Sequence, residues 1–268
     1  MSRIPRENGR YTVDAAAKAL SLLDAFSPET PALSLAQLIE RTGLPRATAF
    51  RLLATLEQAG YLVKDGTEYS LGFKLFALGN IVADQLDLRR EARRHLSDLR
   101  DDIGETVQLA VLDDWQVVHL DRVLSRKPVA YVVSRVGTIL PAYCTALGKA
   151  LLAQEDEDLV YAWAAIQEFK RQTPNTLGSA DELMADLATV RSRGYSIDDE
   201  ERELGVRCVG APVFDHEGRA VGAISLGAPS ERLPKRLVGS KVAMQVMSTA
   251  LAISRELGHV RPTGTPVP

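Results

Sequence analysis

The stretch from Ser34 to Leu71, in the N-terminal part of the chain, reads SLAQLIERTGLPRATAFRLLATLEQAGYLVKDGTEYSL. It opens with a capping-box pattern, because the Ser34 hydroxyl and the Gln37 side chain can each satisfy a backbone N–H group left unpaired at a helix start. Apolar residues then recur at helical spacing as far as Thr42, and Gly43 is typical of a helix end. The pattern predicts a short helix between these positions.

A second helix and a hairpin follow within the same stretch. Pro45 is tolerated in the first turn of a helix, and apolar residues recur at helical spacing until Gly60. Two short strand-like runs then flank Asp65-Gly66, which is a typical hairpin turn. Because residues 13–26 also carry a helical pattern, the order of elements is helix, helix, turn, helix and hairpin. This order predicts a winged helix-turn-helix domain.

The third helix has two distinct faces on a helical wheel. The face expected in the core holds Ala49, Leu52, Leu56 and Ala59. The opposite face would meet bases and phosphates in the major groove, where arginine can bind guanine through two hydrogen bonds. Phe50 lies on that face without a reason to be in the core, so it could contact a thymine methyl group. Alternatively, it packs on the wing or on a second subunit, and the arginines are solvated surface charges. The predicted DNA-contacting residues are Arg46, Ala47, Thr48, Phe50, Arg51 and, in the wing, Lys64, for which a simple surface role is an equal alternative.

The composition is that of an ordinary globular protein of the cytoplasm. The length of 268 residues favours two domains, and no window approaches the roughly 18 apolar residues of a membrane span. The N-terminus carries no apolar segment typical of a secretory signal, and Cys144 and Cys208 are expected to be reduced thiols. The net charge of −3 argues against charge-driven, nonspecific nucleic-acid binding, so any DNA contact has to be local. We expect no membrane partner.

After the hairpin, the pattern predicts a linker helix and an α+β domain. Leu75, Leu78, Val82 and Leu86 form a short apolar stripe on the linker, which could also be a dimer seam. Strands are expected at 107–112, 115–123, 129–134, 207–215 and 220–227, and helices at 145–153, 158–168, 181–193 and 232–257. The predicted boundaries are 9–72 for the DNA-binding domain, 73–87 for the linker helix, 88–259 for the second domain and 260–268 for a disordered tail.

Several motifs resemble the IclR family of bacterial transcriptional regulators. The N-terminal ones are LPRATAFRLL at 44–53, Gly60-Tyr61 and YSLG at 69–72, and the C-terminal ones are TALGKALLA at 145–153, GYSIDDEE at 194–201 and APVFD at 211–215. The resemblance covers nearly the whole chain and implies a GAF-like effector-binding domain, a homodimer or dimer of dimers, and DNA affinity that a small molecule changes. Ala47 and Phe50 depart from the family pattern, which often has a small polar residue and a histidine there.

The start of the helix at 145–153 is a candidate anion site, because Thr145 is a good N-cap and helix N-terminal amides suit an acid group. By resemblance, the effector pocket is lined by Leu140, Tyr143, Thr145, Ala146, Leu147, Asp198, Val206, Cys208, Ser225 and Gly227. An ionised Asp198 would repel a carboxylate unless it takes a backbone or protonated partner, so it is expected to orient its loop. Tyr143 and Gly227 suggest room for a flat aromatic group. Without the resemblance, the apolar members read as core and Ser225 as a strand serine.

The predicted function is sequence-specific binding of double-stranded operator DNA, more as a repressor than as an activator, modulated by a small organic or aromatic acid. The alternative is a small-molecule-processing enzyme or sensor that uses the winged helix for protein contacts. Cys144 or Cys208 could be paired with His119 or His216 on paper, but no catalytic signature accompanies them. We therefore expect no catalytic residue, no cofactor and no bound metal.

Overall fold

A computed structural model of the chain describes residues 13–84, 87–128, 134–234 and 236–260. Contacts between residues divide the chain into two compact units, with the division after Gln85, inside the predicted linker. The first unit contains the helices α1 (Asp14–Asp24), α2 (Leu35–Thr42), α3 (Arg46–Gln58) and α4 (Phe73–Asp84) and the strands β1 (Ala32–Ser34), β2 (Leu62–Asp65) and β3 (Glu68–Leu71). The three strands form an antiparallel sheet in the order β1-β3-β2.

The local signals in the first unit are confirmed. The Ser34 backbone N–H donates to Gln37 Oε1 at 2.9 Å, and the Gln37 N–H donates to Ser34 Oγ at 3.4 Å, which completes the capping box. Gly43 ends α2 with a φ of 67°, a conformation that favours glycine. The predicted hairpin is β2 and β3, and the three-residue β1, which pairs with β3, was not predicted.

The core of the first unit corrects one side of the helical wheel. Ala49 and Leu56 of α3 are buried as predicted, and Leu52 is half-buried against the same cluster. Leu53 is fully buried in place of Ala59, which is exposed in the turn after the helix. Helix α3 packs against α1 and β2, so its buried stripe is rotated from Leu52 and Ala59 toward Leu53.

The second unit is built on one antiparallel sheet in the order β6-β5-β4-β9-β8-β7. Its strands are β4 (Thr106–Asp113), β5 (Gln116–Val123), β6 (Ile139–Pro141), β7 (Ser196–Asp199), β8 (Val206–Phe214) and β9 (Ala220–Pro229), and its helices are α5 (Asp87–Ile103), α6 (Ala146–Leu152), α7 (Glu157–Ile166), α8 (Ala180–Arg193) and α9 (Lys241–Glu256). Helices α5 and α9 pack on one face, and α6, α7 and α8 pack on the other. The predicted α+β domain is confirmed.

Three details of the second unit differ from the prediction or lie beyond it. The last helix begins at Lys241 rather than at residue 232, because Pro234 and Gly239, with a φ of 71°, interrupt the helical pattern. The short edge strands β6 and β7 were not predicted. Most of the predicted strand at 129–134 lies outside the described residues, and Ser134 is not in a strand; the predicted tail beyond Val260 also lies outside them.

Candidate functional site

The helix α3 presents the predicted reading face to solvent. Ala47 and Arg51 are exposed, and the Phe50 ring is 53% exposed, whereas Ala49 on the opposite side is buried. Thr48 is half-buried near the start of the helix. Within the first unit, therefore, Phe50 is not packed in the core, which leaves this aromatic side chain available to a base or to another chain.

The arginines of the predicted reading face lack the intramolecular contacts that Arg41 of α2 makes. Arg46 and Arg51 are exposed, and in the part of the chain that the structure describes neither makes an ion pair. Arg41 instead donates to the Ala25 carbonyl at 2.7 Å and to Thr30 Oγ1 at 2.9 Å, so it ties α2 to the loop after α1. A guanidinium without an intramolecular partner can bind a phosphate or a guanine without first breaking an ion pair.

Lys64 lies in the wing on β2, opposite Tyr69 of β3. Its Nζ lies 5.5 Å from the centroid of the Tyr69 ring, and Tyr69 itself is buried in the core of the unit. The cation–π contact orients an exposed lysine on the wing. This position is compatible with phosphate contact and with a surface role alike.

A cavity of about 70 Å³ lies between α6 and the sheet in the second unit. Of the predicted pocket residues, those that line it are Leu140, Thr145, Ala146, Leu147, Asp198, Val206, Cys208 and Ser225. Tyr143 does not line it, because its hydroxyl donates to the Lys170 carbonyl at 2.9 Å and its ring packs against Phe169. Gly227 is buried on β9 opposite Cys208 and on the same side of the sheet as Ser225, but it is not among the lining residues.

Alternation along the strands explains which side chains reach the cavity. Residues Ile224 and Leu226 of β9 face the core with α5 and α9, so Ser225 between them faces the α6 side. Gln108 of β4 pairs with Ser225 and points to the same side, as does His119 of β5. The lining residues that were not predicted are Gln108, His119, Ser134, Arg202 and Glu203. In the sequence, Gln108 is a polar residue between Val107 and Leu109, two apolar residues that face the core. This alternation was the signal that could have identified it as a cavity residue.

His119 and Gln108 form a buried polar pair in the wall. His119 Nε2 lies 2.7 Å from Gln108 Oε1, and His119 Nδ1 lies 3.2 Å from the Thr138 carbonyl oxygen. Burial lowers the pKa of His119, and the charge of Arg122 lowers it further, against the effect of the Thr138 carbonyl. The ring is therefore neutral at pH 7 and can donate to only one of the two oxygens. Rotation of the Gln108 amide by half a turn would satisfy both contacts.

Asp198 is the residue before the last of β7 and holds the loop that follows the strand. Its Oδ1 accepts the backbone N–H of Glu201 at 2.8 Å and that of Arg202 at 3.3 Å, as expected for a residue that orients its loop. The side chain is 4% exposed. Burial, followed by the charge of Glu201, raises the pKa of Asp198 to about 7, although the two backbone N–H groups and Lys149 act in the opposite direction.

A buried ion-pair cluster supports this loop from behind. Lys149 of α6 is 1% exposed, and its Nζ lies 2.5 Å from Glu201 Oε1 and 3.0 Å from Asp186 Oδ2 of α8. Burial lowers the pKa of Lys149, but the two carboxylates raise it by more, so the net shift is upward. In the sequence, the signal for this cluster is a single lysine inside the apolar run TALGKALLA, because a lysine is rarely buried without a charged partner.

Comparison with known proteins connects both sites to one family. The family model described as the IclR helix-turn-helix domain matches residues 15–66, and the model described as bacterial transcriptional regulator IclR C-terminal matches residues 80–255. The chain belongs to the IclR family.

Relatives and a solved structure agree with this membership over nearly the full chain. The HTH-type transcriptional regulator XynR of Escherichia coli is 34% identical over 249 residues, which cover 92% of this chain and 98% of the relative. The transcriptional repressor IclR of Escherichia coli is 32% identical over 272 residues, with 96% and 98% covered. An IclR homologue from Microbacterium hydrocarbonoxydans, solved in complex with 4-hydroxybenzoate, shares the fold with a TM-score of 0.78 at 24% identity, with 91% and 99% covered.

This IclR-family protein is a transcriptional regulator with an N-terminal helix-turn-helix domain and a C-terminal α+β domain of the IclR type. These relatives carry the names of transcriptional regulators, in agreement with the expectation of a regulator rather than an enzyme. Among the helices that the structure describes, none has the length and apolar character needed to cross a bilayer.

Proposed function

We propose that this protein is a repressor that binds operator DNA through α3 and the wing and responds to a small organic acid in the cavity beside α6. The observation that carries the proposal is the cavity itself. Buried polar residues of the sheet line one side of it, and the capped N-terminus of α6 lies on the other side. Thr145 caps α6 by accepting the Gly148 N–H at 3.1 Å, and Ser225 and Asp198 stand on the opposite wall. Such convergent polar groups fix the orientation of a small ligand.

Two relatives support the finer parts of the proposal. The repressor role follows the name of the Escherichia coli repressor IclR, and the acid effector follows the complex of the Microbacterium homologue with 4-hydroxybenzoate. Binding of the acid changes operator affinity only to the extent that the acid prefers one arrangement of the DNA-binding domains. The proposed partners are thus double-stranded DNA, a small acid and further copies of this chain.

Removal of Arg51 should weaken operator binding by about tenfold or more, because a bidentate contact with a base contributes about 1–3 kcal/mol. The measurement is a gel shift of Arg51→Ala against DNA that flanks the gene, repeated at several salt concentrations. Arg255→Ala is a matched control, since it removes an equally exposed arginine from α9. Equal operator affinity of the wild type and Arg51→Ala would contradict the assigned reading face. No shift of the wild type at low salt would overturn the DNA-binding proposal.

The α4 helix supports the proposal of a homodimer or dimer of dimers. Phe73 and Phe76 are 89% and 69% exposed, Leu78 and Ile81 are also exposed, and Leu75 is half-buried. A helix with this many exposed apolar side chains is typical of a surface that another chain covers. The side chains of Val82 and Leu86, the other members of the predicted seam, lie outside the described residues.

A charge at the centre of this surface should separate the subunits. In sedimentation experiments at micromolar concentration, Phe76→Glu is expected to weaken dimerisation by at least about tenfold, because two buried carboxylates would face one another. Ile166→Glu places the same charge on an apolar side chain of α7 that is also largely exposed, and it serves as the control. A dimer of unchanged stability in Phe76→Glu would show that α4 is not the interface.

A further inference from the structure

An arginine in the cavity wall lacks the partners that usually satisfy a buried guanidinium. Arg202, in the loop after β7, lines the cavity and forms no ion pair with any described residue. Its Nε is buried, and it has no hydrogen-bond partner in the described part of the chain. A buried donor without a partner is unfavourable, and an acceptor on a ligand would satisfy it. We propose that Arg202 binds the acid group of the effector and restricts the cavity to acids that carry one negative charge.

Two carboxyl groups near Arg202 in the sequence have other partners. Asp198 Oδ1 accepts two backbone N–H groups of the loop, and Glu201 forms an ion pair with Lys149. The guanidinium is held by a neutral group instead, since Arg202 Nη1 donates to Gln172 Oε1 at 3.4 Å. A neutral partner positions the side chain without cancelling its charge. An acid can therefore bind Arg202 without first displacing a carboxylate.

The role of Arg202 rests on the proposed effector cavity and adds which acids the cavity accepts. Among the described residues, the charged side chains of the lining are Asp198, Arg202 and Glu203. Glu203, and Asp198 when it is ionised, would repel an acid that lies away from Arg202. A carboxylate bound to the guanidinium forms a neutral pair. A second carboxylate would find no cation in the lining that the structure describes, since burial lowers the pKa of His119 and keeps its ring neutral.

Removal of the guanidinium should separate acids from their uncharged amides. In Arg202→Gln the backbone N–H that Asp198 accepts is kept, and the charge of the side chain is lost. The affinity for 4-hydroxybenzoate, measured by calorimetry with the full-length protein, should fall about 10- to 100-fold, the usual effect of losing a hydrogen bond to a charged group. The affinity for 4-hydroxybenzamide should fall by a smaller factor, so the ratio of acid to amide affinity should drop at least about fivefold. Acetate and acetamide provide a smaller pair.

Two further variants separate the charge of Arg202 from its shape and from the charge of the whole protein. Arg202→Lys keeps the positive charge but loses the planar group that can bind both oxygens of a carboxylate, so its acid affinity should lie between those of the wild type and Arg202→Gln. Arg236→Gln removes an exposed arginine of the same unit that does not line the cavity. It should bind acids and amides as the wild type does.

The restriction to one negative charge is tested with probes of equal shape. Terephthalate carries two carboxylates, and 4-carbamoylbenzoate carries one carboxylate and one amide in the same positions. The dicarboxylate should bind the wild type at least about tenfold more weakly, because its second charge loses water without gaining a cation. Succinate and its monoamide form a smaller pair of the same kind. Dicarboxylates that bind as tightly as their monoamides would overturn this restriction.

The outcomes for Arg202→Gln separate this inference from the proposed function. Unchanged binding of the acids would show that their charged group lies elsewhere in the cavity. An equal loss of acid and amide binding would show that Arg202 only supports the wall. Either result overturns the role of Arg202 and leaves the effector cavity in place. If the wild type binds none of the probes, the proposed effector cavity fails together with this inference.

Discussion

Replacing Lys149 by methionine should lower the free energy of unfolding of the second unit by about 3–5 kcal/mol, the usual cost of removing one partner from a buried ion pair. Methionine has a similar length, so little packing is lost. What is lost is the ammonium group that lies 2.5 Å from Glu201 Oε1 and 3.0 Å from Asp186 Oδ2. Two carboxylates would then remain near each other in a site with little access to water.

The measurement is urea unfolding of the full-length protein, followed through the transition of the second unit. Lys170→Met is the control, because this lysine side chain is exposed and its removal should change stability by less than about 0.5 kcal/mol. The double variant Lys149→Met with Glu201→Gln should recover part of the loss, since one of the two unpaired charges is gone. A loss below about 1 kcal/mol in Lys149→Met would mean that the carboxylates find other partners or water.

The loss of the Lys149 ion pairs should also affect ligand binding in the cavity. Glu201 lies in the loop that Asp198 holds, and Thr176 Oγ1 donates to the Glu201 carbonyl at 2.6 Å. If Lys149→Met releases this loop, Arg202 and Glu203 leave the wall, and binding of a small acid such as 4-hydroxybenzoate, measured by calorimetry, should weaken. An unchanged affinity would show that the hydrogen bonds of the loop suffice without the ion pairs.

Replacing Gly148 by alanine should be about as damaging, with an expected loss of about 3 kcal/mol. Gly148 is in the first turn of α6, where the helix presses on the short turn formed by residues 142–144. An added Cβ would lie 2.6 Å from the Ala142 carbonyl carbon and closer still to its carbonyl oxygen and Cα. Because all three atoms belong to the backbone, the clash cannot be relieved by rotation of a side chain.

The control for this variant is Gly79→Ala. Gly79 is also inside a helix, but a Cβ at that position meets no atom within 4 Å, so alanine should be neutral or stabilising by up to about 1 kcal/mol. Both variants are compared by thermal and urea unfolding. Equal stability of Gly148→Ala and the wild type would show that α6 can move away from the turn without a loss of stability. The cavity wall that α6 forms would then be more flexible than the close packing at Gly148 indicates.

The sequence determined the elements whose signals are local. The capping box at Ser34 and the glycine at position 43 set both ends of α2, since backbone groups at a helix end are satisfied within a few residues. The Asp65-Gly66 turn set the hairpin for the same reason. The resemblance to the family also predicted most of the cavity lining, from Leu140 to Ser225.

The features that depend on residues far apart in the sequence could be seen only in the folded structure. The strands β1, β6 and β7 have three or four residues each, too few to show a pattern, and they exist because a neighbouring strand offers hydrogen bonds. Tyr143 does not line the predicted pocket because its hydroxyl donates a hydrogen bond to the Lys170 carbonyl, 27 residues away in the sequence. Lys149 forms an ion pair with Glu201, which lies 52 residues later in the sequence, so no local pattern could predict this pair. Whether a buried charge is paired depends on the whole fold, as Lys149 shows by its contacts with Glu201 and Asp186 from two other elements.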